Sequence, residues 1–407
     1  MSGARAALER LVGPGGVDAA PARFDGPEVP RVAPASVEEM IEVVRFAARE
    51  KLRLLPIGTG SKLGWTAPAD RVDFLVSTRA FAGIVSYEPG DGTLSARAGT
   101  TMASIRRAAA EGGHWVTPDV ARPGRASLGG VLAASQSGPD RLRFGPARHH
   151  VLGMRVLSSE GNVSKSGGQL VKNVTGYDLH RLYCGSHGTL CIVLEASLRL
   201  FPAPEHEVWM QLDLDGEDDV CARARAALDL PLRIVSLGAA RSGGAWSLSA
   251  RLFGKHEPVE AEAEQLLAAW PGARVCAGDE ARRRAERERD GGFEGAWLRV
   301  SAPPAALPRV LPMLPGAGEA RAQPGIATVD LPLPAPWRDS AARHVGELRA
   351  ALKPVKGRVA ARDFEAEALV DLDPFAEPGA GIELMRALKR KLDPTGTFAT
   401  GRFHGRI

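Results

Sequence analysis

Apolar residues between Ser36 and Glu50 recur at the spacing of one helix face. The apolar positions are Val37, Met40, Ile41, Val44, Ala47 and Ala48. Ser36 and Glu39 have the spacing of a capping box, in which a hydroxyl and a carboxyl satisfy free N–H groups of the first helical turn. We therefore predict a helix here, with its apolar face packed on a sheet.

Short runs of β-forming residues follow this helix. We predict strands at residues 53–57, 73–77, 84–88 and 93–98. A second helix is predicted over residues 101–112, because a threonine can cap its first turn and two glycines end it. A helix followed by a strand, a loop and several more strands indicates an α+β fold.

The composition changes after Pro202. Strands are predicted at residues 207–214 and 246–252, with helices at 218–228 and 258–270. Residues 302–336 are rich in proline and glycine and are predicted as loops, and a helix at 339–353 opens the last segment. We expect three parts: a first domain at 1–203, a smaller α+β cap domain at 204–338, and a C-terminal helical segment at 339–407 that returns to the first domain.

Composition limits the functions that this chain can have. It has 407 residues, of which 44% are hydrophobic and 25% charged, so it is an ordinary globular chain. The net charge of +4 is the small excess of 52 basic over 48 acidic residues. A balance of this kind gives no basic tail or patch, and we expect no nucleic-acid partner.

The cysteines and the N-terminus give further expectations. Cys184, Cys191, Cys221 and Cys276 form no C-x-x-C pair, and histidines do not cluster with them in the sequence, so we expect no metal site. The first residues lack the apolar core of a signal peptide, and no run of about 20 apolar residues occurs. We expect a cytoplasmic protein with no direct membrane insertion.

Residues 54–62 (LLPIGTGSK) place two glycines and two hydroxyls directly after an apolar run. Glycine lets backbone N–H groups approach an anion closely, and Thr59 and Ser61 can donate further hydrogen bonds to phosphate oxygens. The spacing fits neither a Walker A loop nor the Rossmann fingerprint, whose third glycine would come one residue earlier. A second stretch of small residues at 127–139 suits a backbone pressed against a planar ligand or, alternatively, the start of a closely packed helix.

These loops resemble the FAD-binding domain of the vanillyl-alcohol oxidase type, also called the PCMH type. Residues 56–61 are similar to its first pyrophosphate loop, and 128–130 with 137–139 to its second glycine-rich segment. Residues 168–179, 185–190 and 388–398 closely resemble the FAD-binding E subunits of bacterial glycolate oxidases. The resemblance implies an FAD-binding domain of two α+β subdomains, extending over about half of the chain.

The resemblance also implies which residues hold the cofactor. The expected FAD-binding residues are Pro56, Gly58, Thr59, Gly60, Ser61, Lys62, Pro118, Leu128, Gly129, Gly130, Ser137, Gly138, Gly176, Gly188, Thr189 and Ile192. Many relatives attach FAD covalently through a histidine or cysteine in the first loop. Residues 57–64 contain neither, so we predict noncovalent FAD.

The sequence offers two candidate residues for catalysis. Related D-2-hydroxy-acid dehydrogenases have a histidine-rich motif near the C-terminus, which is missing after Phe201, and the histidines at 206, 256, 344 and 404 are isolated in the sequence. Tyr177 is one catalytic candidate, although a core tyrosine bonded to Asp178 is an equal alternative. Arg402 is the other, as a cation for a substrate carboxylate or for the flavin, ahead of Arg358 and Arg362.

Three functions remain open. The first is the FAD-binding subunit of a glycolate oxidase-like complex, with a second flavoprotein subunit and an iron–sulfur subunit as partners and a small 2-hydroxy acid such as glycolate as substrate. Such a complex would be cytoplasmic or would meet the inner membrane face through partners. The second is an autonomous FAD-dependent D-2-hydroxy-acid dehydrogenase, and the third is a scaffold subunit without flavin.

Overall fold

A computed structural model gives the fold of the protein. It describes residues 2–23, 25–168, 177–278, 280, 293, 295–315, 318–375 and 379–407. Within these residues the α-helices are α1 (Ser2–Val12), α2 (Val37–Arg49), α3 (Met102–Glu111), α4 (Leu128–Ala133), α5 (Arg141–Phe144), α6 (Leu179–Tyr183), α7 (Glu217–Leu228), α8 (His256–Ala269), α9 (Leu307–Val310), α10 (Ala341–Leu352) and α11 (Ile382–Leu392).

The strands form three sheets. Their bounds are β1 (Val17–Pro21), β2 (Glu28–Val32), β3 (Leu54–Ile57), β4 (Phe74–Ser77), β5 (Ile84–Glu88), β6 (Thr93–Arg97), β7 (His114–Val116), β8 (Val151–Leu157), β9 (Val163–Gly167), β10 (Ile192–Pro202), β11 (His206–Leu214), β12 (Ser236–Ser242), β13 (Ala245–Gly254), β14 (Arg274–Val275), β15 (Trp297–Ser301), β16 (Ala320–Gln323), β17 (Thr328–Pro332) and β18 (Arg358–Arg362).

The first sheet has the order β1-β2-β4-β3. Its strand β4 lies parallel to both β2 and β3, so the loop after β3 leaves the carboxyl edge of a parallel pair. Helix α2 buries Met40, Val43, Val44 and Ala47, and these side chains belong to the same hydrophobic cluster as residues of β3 and β4. The amphipathic helix and the strand that follows it therefore set the position of the first glycine loop.

The second sheet has the order β5-β6-β10-β8-β9, and β7 pairs with the far end of β10. Its antiparallel strands pack against α3 and α4 around a cluster that includes Leu94, Met102, Leu132 and Leu198. Helix α4 begins at Leu128, directly after the N-cap residue Ser127. The second glycine-rich segment thus starts a short helix on this sheet.

The third sheet has eight antiparallel strands in the order β14-β11-β13-β12-β16-β17-β15-β18. Helices α7, α8, α9 and α10 share its hydrophobic cluster, in which Trp270 is completely buried. This sheet and its helices make up the α+β region that was predicted as a cap.

The last residues of the chain return to the first sheet. The backbone N–H of Leu54 donates to the carbonyl of Thr397, and Phe398 forms a parallel bridge with Leu54. Lys389 of α11 is buried and its Nζ donates to the Thr189 carbonyl (2.8 Å) and to Asp393 Oδ2 (2.5 Å). These bonds join the C-terminal segment to the loops that border the first two sheets.

The α+β fold class is confirmed, and the local predictions hold best where the pattern is amphipathic. Helix α2 has the predicted cap, with the Glu39 N–H donating to Ser36 Oγ at 3.1 Å.

The prediction of loops over residues 302–336 is wrong: β16 and β17 lie there, joined by a turn at Pro324–Ile326. The buried positions of β16 alternate over only four residues, whereas β17 buries three consecutive residues out of five, and neighbouring strands supply the pairing. Strand β18 lies within residues 339–407, which the sequence predicts to return to the first domain, yet it pairs with β15 in the third sheet. The three-part division itself stays a prediction.

Candidate functional site

A solvent-open cleft lies where the loops of the first two sheets meet. Its empty volume, which includes space open to solvent, is about 670 Å³. The residues that line it are Pro56, Ile57, Gly58, Thr59, Gly60, Ser61, Lys62, Leu63, Thr78, Ser127, Gly129, Gly130, Ala133, Ala134, His187, Gly188, Cys191, Ile192, Val193 and Arg402. Eleven of the expected site residues therefore lie together, although they come from four separate stretches of sequence.

The loop after β3 presents backbone donors to the cleft. In the part of the chain that the structure describes, the N–H groups of Thr59, Gly60, Ser61 and Lys62 donate to no protein acceptor. Gly60 has φ +77°, a left-handed conformation that glycine adopts without steric cost. Four successive free N–H groups at the edge of a cavity are suited to bind an anion.

Gly58 fits closely against the start of α4. A Cβ atom at position 58 would lie 1.9 Å from Ser127 Oγ, so any side chain there would require the Ser127 hydroxyl, or the segment that carries it, to move. Ser127 Oγ in turn accepts a hydrogen bond from the Gly130 N–H at 3.4 Å. The glycine is needed for this contact between the two loops.

Two further contacts fix the loops in place. Thr59 Oγ1 donates to the carbonyl of Arg125 at 2.5 Å, which holds the first loop against the turn before α4. The Gly129 N–H donates to the Ala98 carbonyl, and a Cβ at position 129 would lie 2.9 Å from the Ala98 Cβ. The cleft therefore has a wall formed largely by closely packed backbone.

Lys62 brings a cation to the cleft. Its Nζ donates to Ser61 Oγ at 3.2 Å, and no carboxylate oxygen of the described residues is within 4.0 Å of it. Burial lowers the pKa of the Lys62 ammonium to about 8. A desolvated ammonium without a carboxylate partner gains most when an anionic ligand binds next to it.

Arg402 is a second cation at this cleft, and only 5% of its surface is exposed. Its guanidinium donates to Thr66 Oγ1 at 2.7 Å and to the His187 carbonyl at 3.4 Å, and it too lacks a carboxylate within ion-pair distance among the described residues. Burial, followed by the nearby Arg23 charge, lowers the pKa of Arg402 to about 10. The arginine still carries its charge at neutral pH, and that charge is uncompensated.

His187 and Gly188 close the opposite wall. Gly188 has φ +76°, and a Cβ there would meet the Pro56 ring at 3.5 Å. Burial, then Arg362 and Arg402, lowers the pKa of His187 well below its usual range, so its imidazole is neutral. Ile192, the first residue of β10, is fully buried and also lines the cleft.

A second cavity shares Ser61 and Lys62 with the cleft and extends to the third sheet. Its empty volume is about 690 Å³, and its other lining residues are Trp65, Ala121, Arg122, Arg125, Gln136, Phe293, Trp297 and Asp363. Asp363 Oδ2 accepts a hydrogen bond from Trp297 Nε1 at 2.8 Å, and burial raises the pKa of the Asp363 carboxyl. Polar groups thus face a space between the cleft and the third sheet.

Five expected FAD-binding residues lie behind the cleft instead of lining it. Pro118 accepts from Arg106, Leu128 is fully buried in the second core, and Ser137 Oγ accepts from the Ala147 N–H. Gly138 lies against Asp119, whose carbonyl would be 2.2 Å from a Cβ, and Thr189 Oγ1 donates to the Ser186 carbonyl. A direct contact of these residues with FAD stays a prediction.

The two catalytic candidates have different surroundings. Arg402 lines the cleft, whereas the side chain of Tyr177 is 91% exposed and does not. The alternative of a core tyrosine is therefore wrong. Gly176 and the rest of 169–176, the most characteristic part of the resemblance, lie outside the described residues.

Sequence reasoning missed several lining residues. Cys191 and Thr78 line the cleft, and Trp65, Gln136 and Asp363 line the second cavity. Cys191 directly follows the quoted 185–190 motif, so its position was a usable signal. Nothing in the local sequence marks Asp363, because the third sheet brings it to Trp65 from almost 300 residues away.

Comparison with known proteins identifies the domain that carries the cleft. Residues 30–167 match the family model described as an FAD binding domain. The chain is 34% identical over 201 residues to a D-2-hydroxyglutarate dehydrogenase of Xanthomonas citri pv. viticola, covering 49% of this chain and 42% of that one. It is 32% identical over 203 residues to glycolate oxidase subunit GlcE of Escherichia coli, covering 49% and 57%. The chain thus spans about half the length of the curated relatives it matches.

The fold is also found in a solved structure. An alkyldihydroxyacetonephosphate synthase aligns with a TM-score of 0.68 at 14% identity, covering 92% of this chain and 76% of that one. This likeness concerns the fold alone. No helix in the described ranges is long and apolar enough to cross a membrane.

The residues present fit the cofactor that this family binds. The FAD pyrophosphate is an anion, and the cleft offers four free N–H groups, Lys62 and Arg402. Gly58, which packs against the Ser127 hydroxyl, adds no side chain of its own to the cleft wall. Residues 30–167 of this chain therefore form an FAD-binding domain of the PCMH type.

Proposed function

We propose that this chain binds FAD noncovalently and acts as a subunit of a complex that oxidises a small 2-hydroxy acid such as glycolate. The observation that carries the proposal is the uncompensated positive charge of Lys62 and Arg402 beside four free N–H groups. Arg402 is buried and Lys62 is half-buried. A cation removed from water is costly unless a partner neutralises it, and a bound dianionic pyrophosphate would do so.

The cleft residues would hold and orient the cofactor. Thr59, Gly60, Ser61 and Lys62 would bind the pyrophosphate, with Thr59 kept in position by its bond to the Arg125 carbonyl. FAD, when bound, accepts the hydride equivalent that is removed from a substrate carbon. Arg402 would supply a fixed positive charge within the same cleft, and its bond to Thr66 sets its direction.

The second cavity is the best candidate for the substrate side. It continues from the cleft at Lys62 and is bordered by Arg122 and Arg125, which suit a carboxylate. Trp65 and Trp297 cover it, with ring centroids 6.1 Å apart, and would exclude water from the reacting end. Asp363, whose pKa is raised by burial, is a polar group in this space that can accept a proton.

Two relatives support the subunit role. GlcE of Escherichia coli and GlcD of Bacillus subtilis are both glycolate oxidase subunits. The partners would be a second flavoprotein subunit and an iron–sulfur subunit that passes electrons on. The exposed position of Tyr177 favours this role over autonomous catalysis, because a surface phenol in the free chain is poorly placed for proton transfer in a closed site.

An autonomous FAD-dependent D-2-hydroxy-acid dehydrogenase is the second candidate. The observation that favours it is the cavity between the cleft and the cap, which is large enough for a small hydroxy acid and contains Asp363. In this case the same chain would bind both the cofactor and the substrate.

The two functions can be distinguished with the purified chain. The protein is loaded with FAD, and glycolate or D-lactate is added without oxygen while the flavin absorbance is followed. We expect the flavin to stay oxidised with this chain alone and to bleach when the partner subunits are added. Bleaching by the chain alone would establish the autonomous dehydrogenase, and failure to take up FAD would leave the flavin-free scaffold.

A further inference from the structure

Three metal-ligating side chains meet at the edge of the third sheet. His206 is the first residue of β11, whereas His256 and Glu260 lie one turn apart on α8. The ligand atoms of these three residues all lie within 4.8 Å of one another, and His206 Nε2 is 2.5 Å from Glu260 Oε1. None of the three lines the FAD cleft.

The backbone that carries these side chains is well anchored. His206 pairs in register with Gly254, and the neighbouring Glu205 N–H donates to the Gly254 carbonyl at 2.9 Å. Helix α8 then begins at His256 and packs on the sheet through the buried side chains of Val259 and Leu266. His206 is half-buried and the other two are exposed, so the cluster is fixed at its base and open to solvent.

A hydrogen bond alone does not explain the arrangement. The bond from His206 to Glu260 accounts for two of the groups, yet the His256 ring also lies over His206, with ring centroids 4.4 Å apart and planes tilted by 35°. A divalent cation that accepts a lone pair from each imidazole and from the carboxylate would make use of all three groups at once.

The donor set indicates the kind of ion. Two imidazoles and one carboxylate are ligands of borderline divalent ions such as Zn²⁺, and three protein ligands leave a position for water. We propose that His206, His256 and Glu260 form a Zn²⁺-class site in the cap. The bound ion joins the first residue of β11 to the first turns of α8, just after the chain leaves the second sheet at Pro202. No local motif in the sequence marks this metal site, because His206 lies 50 residues before His256.

Cobalt provides a direct test, because a Co²⁺ ion bound by protein ligands gains d–d absorption in the visible region. The full-length protein is treated with a chelator, desalted and titrated with Co²⁺ and then with Zn²⁺. We expect a saturable visible band at one ion per chain that Zn²⁺ displaces. His206→Asn, His256→Asn and Glu260→Gln should each weaken Co²⁺ binding by more than about 100-fold, since loss of an outer-shell partner alone already costs about 10–100-fold.

His344→Asn is the matched control. His344 is bonded to Ser340 and stacked on Trp337, away from the cluster, so its loss should leave the titration unchanged. A second readout is the midpoint of thermal unfolding, which should rise with Zn²⁺ in the unsubstituted protein and not in the three variants. The proposal is overturned if no saturable band forms, or if His344→Asn lowers Co²⁺ affinity as much as His206→Asn does.

Discussion

Two buried arginines at different places in the molecule have opposite surroundings. Arg251 of β13 is 5% exposed and pairs with both carboxylate oxygens of Asp140 at 3.0 Å and with Glu207 at 3.1 Å. Burial alone would lower the pKa of Arg251, but the charges of Asp140 and Glu207 raise it by more. The pKa of Arg251 therefore lies above its usual value. The pKa of Arg402, equally buried, is lowered to about 10.

The charge of Arg251 is neutralised by carboxylates of the chain itself, whereas, within the described ranges, the charge of Arg402 is not. Arg251 is compensated within the chain, and its bond to Asp140 joins the region before α5 to the third sheet. Around it, the rings of Trp115, Phe144 and Phe253 form an apolar cluster between the same two regions. Arg402 and Lys62 have no such carboxylates within ion-pair distance among the described residues, and both line the cleft. The charge of the first arginine is neutralised within the fold, whereas the second is the one that we propose to act on the bound cofactor.

The largest expected effect is at the compensated arginine. Asp140→Ala removes the partner that is 2% exposed and leaves the buried guanidinium bonded to the more exposed carboxylate of Glu207. We expect a loss of about 3–5 kcal/mol in the free energy of unfolding, measured by urea denaturation, because a buried charge loses its partner. Glu207→Ala, which removes a more exposed carboxylate, should cost less. Equal losses from the two variants would show that burial does not decide the strength of this pair.

Arg402→Met tests the other side of the comparison. FAD affinity, measured by fluorescence quenching, should fall about 10–100-fold, as expected for hydrogen bonds to a charged group worth about 1.5–3 kcal/mol. The free energy of unfolding should not fall, since an uncompensated buried charge is removed. Arg251→Met is the matched control and should give the reverse pattern. A destabilised Arg402→Met protein with unchanged FAD affinity would mean that Arg402 serves the fold.

Gly58→Ala separates packing from charge in the cleft. The new Cβ would lie 1.9 Å from Ser127 Oγ, and overpacking of this kind costs about 1–3 kcal/mol. Gly90→Ala is the control, because a Cβ there meets nothing within 4 Å. In the double variant Gly58→Ala/Ser127→Ala, part of the loss in unfolding free energy should be recovered. Purely additive losses would show that the two loops do not meet as described.

The smallest effect is a pH dependence of FAD binding. Lys62 has a pKa of about 8 without ligand, and only its protonated form attracts the pyrophosphate. FAD affinity should therefore be constant below about pH 8 and fall by up to about tenfold per unit above it. Stability of the unliganded protein should instead rise with pH from about 8 to 10.5, because the unfolded chain then binds more protons than the folded one. Lys62→Met should bind FAD more weakly, without this fall in affinity.

The cleft and the contact between Arg251 and Asp140 also differ in how well the sequence predicts them. The cleft is built from short, local signals: Ser36 and Glu39 cap α2, and Gly58, Gly60 and Gly188 occupy positions that need close approach or a positive φ. These requirements act within a few residues and therefore leave a mark on the sequence. The predicted loop residues consequently come together in the structure.

The contact between Arg251 and Asp140 is not signalled by the local sequence. Asp140 and Arg251 are 111 residues apart, and neither lies in a recognisable motif. Strands β16 and β17 were likewise hidden among prolines and glycines, because their stability comes from pairing with β12 and β15. Contacts between distant parts of the chain depend on the topology of the sheets, and a single sequence does not reveal that topology.

Direct loading with FAD tests whether the cleft binds this cofactor and holds it noncovalently. The purified chain is titrated with FAD and then precipitated with acid, and flavin absorbance is read in the supernatant and in the pellet. The uncompensated cations and free N–H groups of the cleft predict binding of about one FAD per chain, all of it released by acid. Absence of binding by correctly folded protein would contradict the account of the cleft, and flavin retained in the pellet would contradict noncovalent attachment.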